Sequence, residues 1–282
     1  MIKKMYWFVK QSLFLDYRFF STNRWSLILK IEFIFIKYYL IIKHFFVRFE
    51  LGVSNVNFGK SRIYYDSAYG LAGYQSMLTR QKNLLSYTGL RSSQALKIFD
   101  VGANVGFYTL MCKDLFPKSK IHAFEPIPDT FKCLRNNCSK YTNIKVNNLG
   151  MSSKEGVLKM SFDPNDSAIS QISKTGNVEV ELTTIDKYFS SLGFNNLDLL
   201  KIDTEGFESL VLDGAPKTLA KTRYLAIEIT LEDNKNYTLS SLLSKLYSPD
   251  YDFDLVAFRN YSDKGEGPIH IMDALFVNKK LS

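Results

Sequence analysis

The segment Ile98-Phe99-Asp100-Val101-Gly102-Ala103-Asn104-Val105-Gly106-Phe107-Tyr108 constrains this chain more than any other. A short apolar run meets a glycine-bearing turn and then the opening of a helix. Gly102 and Gly106 carry no Cβ, so the turn lets bare backbone approach a ligand. The spacing G-x-N-x-G departs from the dinucleotide fingerprint G-x-G-x-x-G, because Asn104 and Phe107 stand at its second and third glycine positions. The turn therefore predicts a nucleoside pocket that holds no pyrophosphate.

Downstream, strand-like and helix-like stretches alternate, which predicts a mainly parallel sheet covered on both faces. The expected order is strand 97–101, helix 106–115, strand 120–124, helix 128–139 and strand 144–149, then a β-rich insertion to about 181. Strand 197–202, helix 206–212, strand 223–229, helix 238–246 and a terminal pair, 253–258 and 269–277, complete it. A hairpin around Asn57–Tyr65 and a helix through 74–90 are expected to lead into this core. In such folds ligands sit at the carboxyl ends of the strands.

Three chemical groups fall at those ends. Asp100 precedes the first glycine; it is placed to accept from a cofactor amino group or to brace the turn. Glu125, in His122-Ala123-Phe124-Glu125-Pro126, ends the second strand. An acid about 20 residues past a glycine turn is placed to bind two ribose hydroxyls. S-adenosylmethionine is the nucleoside cofactor that fits both features. The third group is Lys201-Ile202-Asp203-Thr204-Glu205-Gly206-Phe207-Glu208, where an apolar strand delivers charge at its tip. Alternation puts Lys201 and Asp203 on one side. Asp203, then Glu205, are the candidates to position or deprotonate an acceptor hydroxyl, with Lys201 orienting them or the substrate. The other reading is a structural ion pair. Glu228 stands at the next strand end and is placed to join them. No His accompanies these acids at ligand spacing, so no metal is expected.

Together these blocks resemble the FkbM-type S-adenosylmethionine-dependent methyltransferases over roughly residues 60–280. The matching pieces are Phe99–Gly106, Ala123–Pro126, Glu181-Leu182-Thr183-Thr184-Ile185-Asp186, Lys201–Glu208 and Val211-Leu212-Asp213-Gly214-Ala215. The resemblance implies an α/β, Rossmann-like class I methyltransferase sheet, mainly parallel with a reversed last strand. It implies O-methylation of a sugar, glycan or other small-molecule hydroxyl, with cofactor contacts at Asp100, Gly102, Asn104, Gly106 and Glu125. Ser153, in Gly150-Met151-Ser152-Ser153, stands where the family commonly has Asp and offers a hydroxyl to adenine. Two rivals stay open: a nicotinamide-dependent oxidoreductase, and a membrane-associated binding protein without turnover.

Charge sets residues 1–50 apart from residues 51–282, which are expected to form the methyltransferase domain. The first fifty carry nine Lys/Arg against three acids, so six of the chain's net +8 lie there. A nearly neutral remainder does not suggest a nucleic-acid substrate. The leader is aromatic and helical in pattern, and its best spanning candidate, 26–47, contains Lys30, Glu32, Lys37 and Lys43. Mid-helix charges cost roughly 2.5–3.5 kcal/mol each on insertion, so a basic helix lying on an anionic membrane surface fits better than a span. Packing on the core or on a second subunit is the alternative. Three cysteines without zinc spacing suggest a reducing compartment. The expected location is the cytoplasm, at the inner face of a membrane.

Overall fold

The computed structural model describes residues 84–161, 171–172, 176–231, 237–260 and 271–282, the strand residues 54–58 and 61–65, and isolated helical residues between 27 and 38. The hairpin is formed by strand β1 (Ser54–Phe58) and strand β2 (Ser61–Tyr65), paired antiparallel. Most of the helix expected through 74–90, and the boundary near residue 50, lie outside the described residues.

Seven strands make the main sheet. They are β3 (Lys97–Val101), β4 (Lys120–Phe124), β5 (Ile144–Asn147), β10 (Leu197–Ile202), β11 (Thr222–Thr230), β12 (Phe253–Asn260) and β13 (Ile271–Asn278), in the spatial order β12-β13-β11-β10-β3-β4-β5. β13 runs antiparallel to both of its neighbours, while β11, β10, β3, β4 and β5 pair in parallel. The reversed strand thus lies one place in from the edge, between β11 and β12.

Alternating side chains divide the core into two layers. Ile98, Ile121, Leu199, Ala226 and Leu275 face helix α1 (Phe107–Leu115), which returns Tyr108, Met111 and Cys112. Helix α2 (Pro128–Cys138) covers Ala123 on this same face. Phe99, Val101, Leu200, Ile202 and Phe276 point to the other face. There they meet α3 (Ile185–Ser191), α4 (Glu208–Asp213), α5 (Pro216–Leu219) and α6 (Leu239–Leu246). Strands buried on both faces are near-continuously apolar, which is why β3 and β10 were legible as strands.

A second, four-stranded sheet is made of β6 (Gly150–Met151), β7 (Gly156–Ser161), β8 (Gln171–Ile172) and β9 (Val178–Thr183), in the order β6-β9-β7-β8. It accounts for the β-rich insertion. The strand expected over 144–149 stops at Asn147, because the chain there leaves β4 to pair with β9. Asn148 fixes the crossing: its Nδ2 donates to the carbonyls of Glu125 and Pro126 at 2.8 and 2.9 Å.

Two helices escaped the periodicity reading. α3 has seven residues and α5 four, too few turns for a pattern of period 3.6 to emerge. α3 does carry a start signal: Thr184 Oγ1 accepts from Lys187 N at 3.1 Å. Asp186 then caps α5 from outside, its carboxylate accepting from Lys217 N, Thr218 N and Thr218 Oγ1.

Candidate active site

The carboxyl ends of β3, β4 and β10, with β6 and β7, enclose a cavity of about 530 Å³, within the usual range of small-molecule sites. Gly102, Asn104, Glu125, Ser153, Asp203 and Glu205 all line it. Six of the ten residues singled out from sequence are therefore together on one wall system, and Glu228 is not among them. Asp100, Gly106 and Lys201 are not part of the lining.

The glycine turn is built from left-handed backbone: φ is +75° at Gly102, +50° at Asn104 and +97° at Gly106. A second reason for glycine comes from packing. A Cβ on Gly102 would lie 1.7 Å from the carbonyl oxygen of Asp203, and one on Gly106 would lie 2.8 Å from Leu134 Cδ1. At Gly102, which also lines the cavity, close packing of the chain on itself excludes a side chain; at Gly106 the left-handed backbone disfavours one, while the Leu134 methyl could give way. Asn104 tolerates its positive φ in part through its own side chain, whose Oδ1 accepts from Val105 N at 2.7 Å.

Glu125 is fixed from two sides. Its Oε2 accepts from Asn104 N at 3.0 Å and its Oε1 from Ile127 N at 2.9 Å. The carboxylate is buried, yet it lines the cavity. A carboxylate has about four acceptor positions, so two backbone bonds do not by themselves saturate it. The glycine turn and the strand-tip acid are thus one assembly: Asn104 N–H orients the very group expected to bind ribose. Ile127 and Met151 add an apolar wall beside them; neither has a signal in the sequence that separates it from a core residue.

Asp100 lies beneath this floor, fully buried. Its Oδ2 accepts from Thr109 Oγ1 at 2.5 Å, and its Oδ1 is 3.5 Å from Lys201 Nζ. Lys201 Nζ also lies 3.1 Å from Asp203 Oδ2, donates to the carbonyl of Gly102 at 3.1 Å, and sits over the Tyr108 ring. Burial pulls the Lys201 pKa down, but Asp203 and Asp100 more than reverse this and hold it above its ordinary value. It stays a cation. Asp100 and Lys201 therefore form a buried support joining β3, β10 and the glycine turn, and Lys201 reaches the cavity through Asp203.

Past β10 the chain turns through Glu205 at φ +53° and Gly206 at φ +101°. One carboxylate oxygen each from Asp203, Glu205 and Glu228 lies within 4.8 Å of the others. Burial, then the charges of Asp203, Glu205 and Asp273, raise the Glu228 pKa well above the ordinary glutamate value. The lack of a nearby His is weaker ground against a metal than the sequence suggested, since hard divalent cations take oxygen ligands alone.

A mainly parallel sheet with a cavity at its carboxyl ends defines a Rossmann-like α/β architecture. Residues 100–255, more than half of the chain, match the family model described as Methyltransferase FkbM domain, and the chain belongs to this family of methyltransferases. The chain is 29% identical over 178 residues to hexuronic acid methyltransferase AglP of Haloferax volcanii, covering 59% of this chain and 71% of that protein. It is 26% identical over 183 residues to 2-O-methyltransferase NoeI of Sinorhizobium fredii, covering 57% and 73%. It is 28% identical over 151 residues to the 31-O-demethyl-FK506 methyltransferase FkbM of Streptomyces tacrolimicus, covering 42% and 58%.

Proposed function

We propose that this enzyme transfers the methyl group of S-adenosylmethionine to a hydroxyl of a sugar or glycan. One observation carries the reading: Glu125, oriented by Asn104 N–H, and the pair Asp203 and Glu205 line a single cavity. The donor set fits the cofactor. Glu125 presents carboxylate oxygens to two hydroxyls, Ser153 lines the same cavity for adenine, and Ile127 and Met151 supply apolar walls.

When bound, the cofactor supplies an electrophilic methyl group on a sulfonium. The chain's part is to hold the acceptor oxygen in line and to take its proton. Asp203 is the first candidate for that proton and Glu205 the second. Lys201 keeps Asp203 in place through the 3.1 Å ion pair. Relatives that act on a hexuronic acid or at a 2-O position support a carbohydrate acceptor. The segments expected to set acceptor choice, 160–180 and 259–270, lie mostly outside the described residues.

The test uses labelled S-adenosylmethionine with methyl glycosides of neutral hexoses, deoxyhexoses and uronic acids. Labelled O-methyl glycoside is the expected product. Asp203→Asn should lower kcat by about 10²–10⁴-fold while calorimetry shows the cofactor still bound. Binding of NADH in place of S-adenosylmethionine would overturn the donor assignment. Full turnover by Asp203→Asn would remove Asp203 as the base.

The leader is also read as a membrane contact, here on the inner face of an anionic bilayer. The described residues 27, 28, 30, 31, 34, 35 and 38 are helical. Ile34 packs against the core cluster under α1, whereas Leu27, Ile28, Ile31 and Phe35 share one face and are exposed. Lys30 on the same segment is buried. Apolar outward residues on a segment with a surplus of six positive charges suit an anionic lipid surface. No helix among the described residues is long and apolar enough to cross a membrane.

A further inference from the structure

We propose that Glu208 and Tyr237 are positioning residues for methyl transfer, tying the loop that carries Asp203 and Glu205 to the end of the strand that carries Glu228. The inference rests on the reading of Asp203 and Glu205 as the reacting end of the site.

The loop after β10 needs an external hold. Glu205 has φ +53°, a region sparsely used by residues other than glycine, and such conformations persist only where surroundings over-determine them. Glu208 supplies the hold. Glu208 is 1% exposed, and its Oε1 accepts from Thr204 N at 2.9 Å, Thr204 Oγ1 at 3.0 Å and Gly206 N at 3.1 Å. These bonds bracket Glu205 on both sides.

The other oxygen reaches a different element. Glu208 Oε2 accepts from Tyr237 Oη–H at 3.0 Å, and Tyr237 Oη accepts from Thr230 N at 3.1 Å. Thr230 ends β11, two residues beyond Glu228. A continuous chain, Thr230–Tyr237–Glu208–Thr204/Gly206, thus spans from one carboxylate-bearing segment to the other. Burial, with Glu208 alongside, raises the Tyr237 pKa, so the phenol remains a donor.

Glu208 does not line the cavity. Any effect it has on chemistry must pass through the loop. Asp203 has holds of its own, its carbonyl against Gly102 and its ion pair with Lys201. Releasing the Glu208 bonds to Thr204 and Gly206 therefore moves Glu205 first, shifts the far side of Asp203 with it, and leaves the Glu125 end in place. A misplacement of about 1 Å can cost roughly 10²-fold in rate.

Three variants test this: Glu208→Ala, Glu208→Gln and Tyr237→Phe. With any panel glycoside that the wild type methylates, Glu208→Ala should lose about 10²-fold in kcat, with the S-adenosylmethionine KM within about threefold, which is under 1 kcal/mol. Tyr237→Phe should lose about tenfold, the scale of one buried hydrogen bond. Glu208→Gln keeps an acceptor for the loop amides and should recover most of kcat. Amide hydrogen exchange gives a second readout that needs no acceptor: Thr204 and Gly206 should exchange at least about tenfold faster in Glu208→Ala and Tyr237→Phe, with β10 unchanged.

Folded variants with wild-type kcat and wild-type exchange would overturn the proposal. So would a KM that rises in step with the loss of kcat. If Glu208→Ala does not fold, Tyr237→Phe and Glu208→Gln decide by the same criteria. A wild type that methylates no panel glycoside speaks against the carbohydrate acceptor, and the exchange data then decide the loop on their own.

Discussion

Gly102 shows how one missing methyl group holds two segments together. A Cβ there would enter the carbonyl of Asp203, and the backbone at φ +75° disfavours any L side chain. Gly89 offers an internal control: its φ is +67°, but nothing lies within 4 Å of its would-be Cβ. Gly89→Ala should cost about 1–2 kcal/mol from backbone strain alone. Gly102→Ala should cost more than about 3 kcal/mol, lowering Tm by at least roughly 6 °C for a domain of this size, and should move Asp203. Equal melting temperatures for the two variants would show that the close approach carries no weight. The pair Gly102 and Asp203 was visible in sequence as two separate motifs. Their contact was not, because it depends on β3 and β10 being neighbours in the sheet.

Among the elements, α3 is anchored to the sheet through a polar tie. Tyr188 Oη donates to Asn147 Oδ1 at 3.0 Å and meets His122 Nδ1 at 2.8 Å. Burial, then Lys145 and Lys120, lower the His122 pKa to about 4, so the folded protein holds it neutral near pH 7. An unfolded chain titrates this residue near its ordinary value of about 6.5. Between those values the unfolded state binds a proton that the native state does not, and stability falls as pH drops from about 6.5 to about 4. His122→Phe keeps ring packing against Phe99 and Phe194 but removes this term. The Tm advantage of the wild type over His122→Phe should shrink on acidification through that window. A gap independent of pH would place the titration elsewhere. α3 itself was missed because seven residues give a weak period; its capping Thr184 was the only local sign of it.

For the whole molecule, the distribution of charge and apolar surface bears on the membrane contact proposed for the leader. The exposures of Leu27, Ile28 and Phe35 are 63%, 78% and 74%, values that a buried packing helix would not show on that face. Wild-type protein should co-sediment with vesicles containing phosphatidylserine and bind neutral phosphatidylcholine vesicles weakly. Replacing Leu27, Ile28, Ile31 and Phe35 together by Ser should reduce that binding by more than about tenfold, since each buried apolar side chain is worth about 1.5–3 kcal/mol. Because these side chains are exposed, Tm should stay unchanged. Equal binding by the variant would assign the leader to protein packing alone.

The sequence by itself determined the alternation of strands and helices and the family, and it marked Glu125, Asp203 and Glu205, which the fold brings to one cavity. Each rests on a local pattern: apolar runs of strand length, a glycine turn between strand and helix, charge at a strand tip. Only the tertiary structure decided the division of labour among the charged residues. Asp100 and Lys201 went beneath the floor as a paired support, Lys30 turned inward, and Glu208 became a brace for the loop. The reason is physical. A charge in a sequence carries no sign of its burial or its partner, and both follow from which strands lie side by side and which face each residue takes.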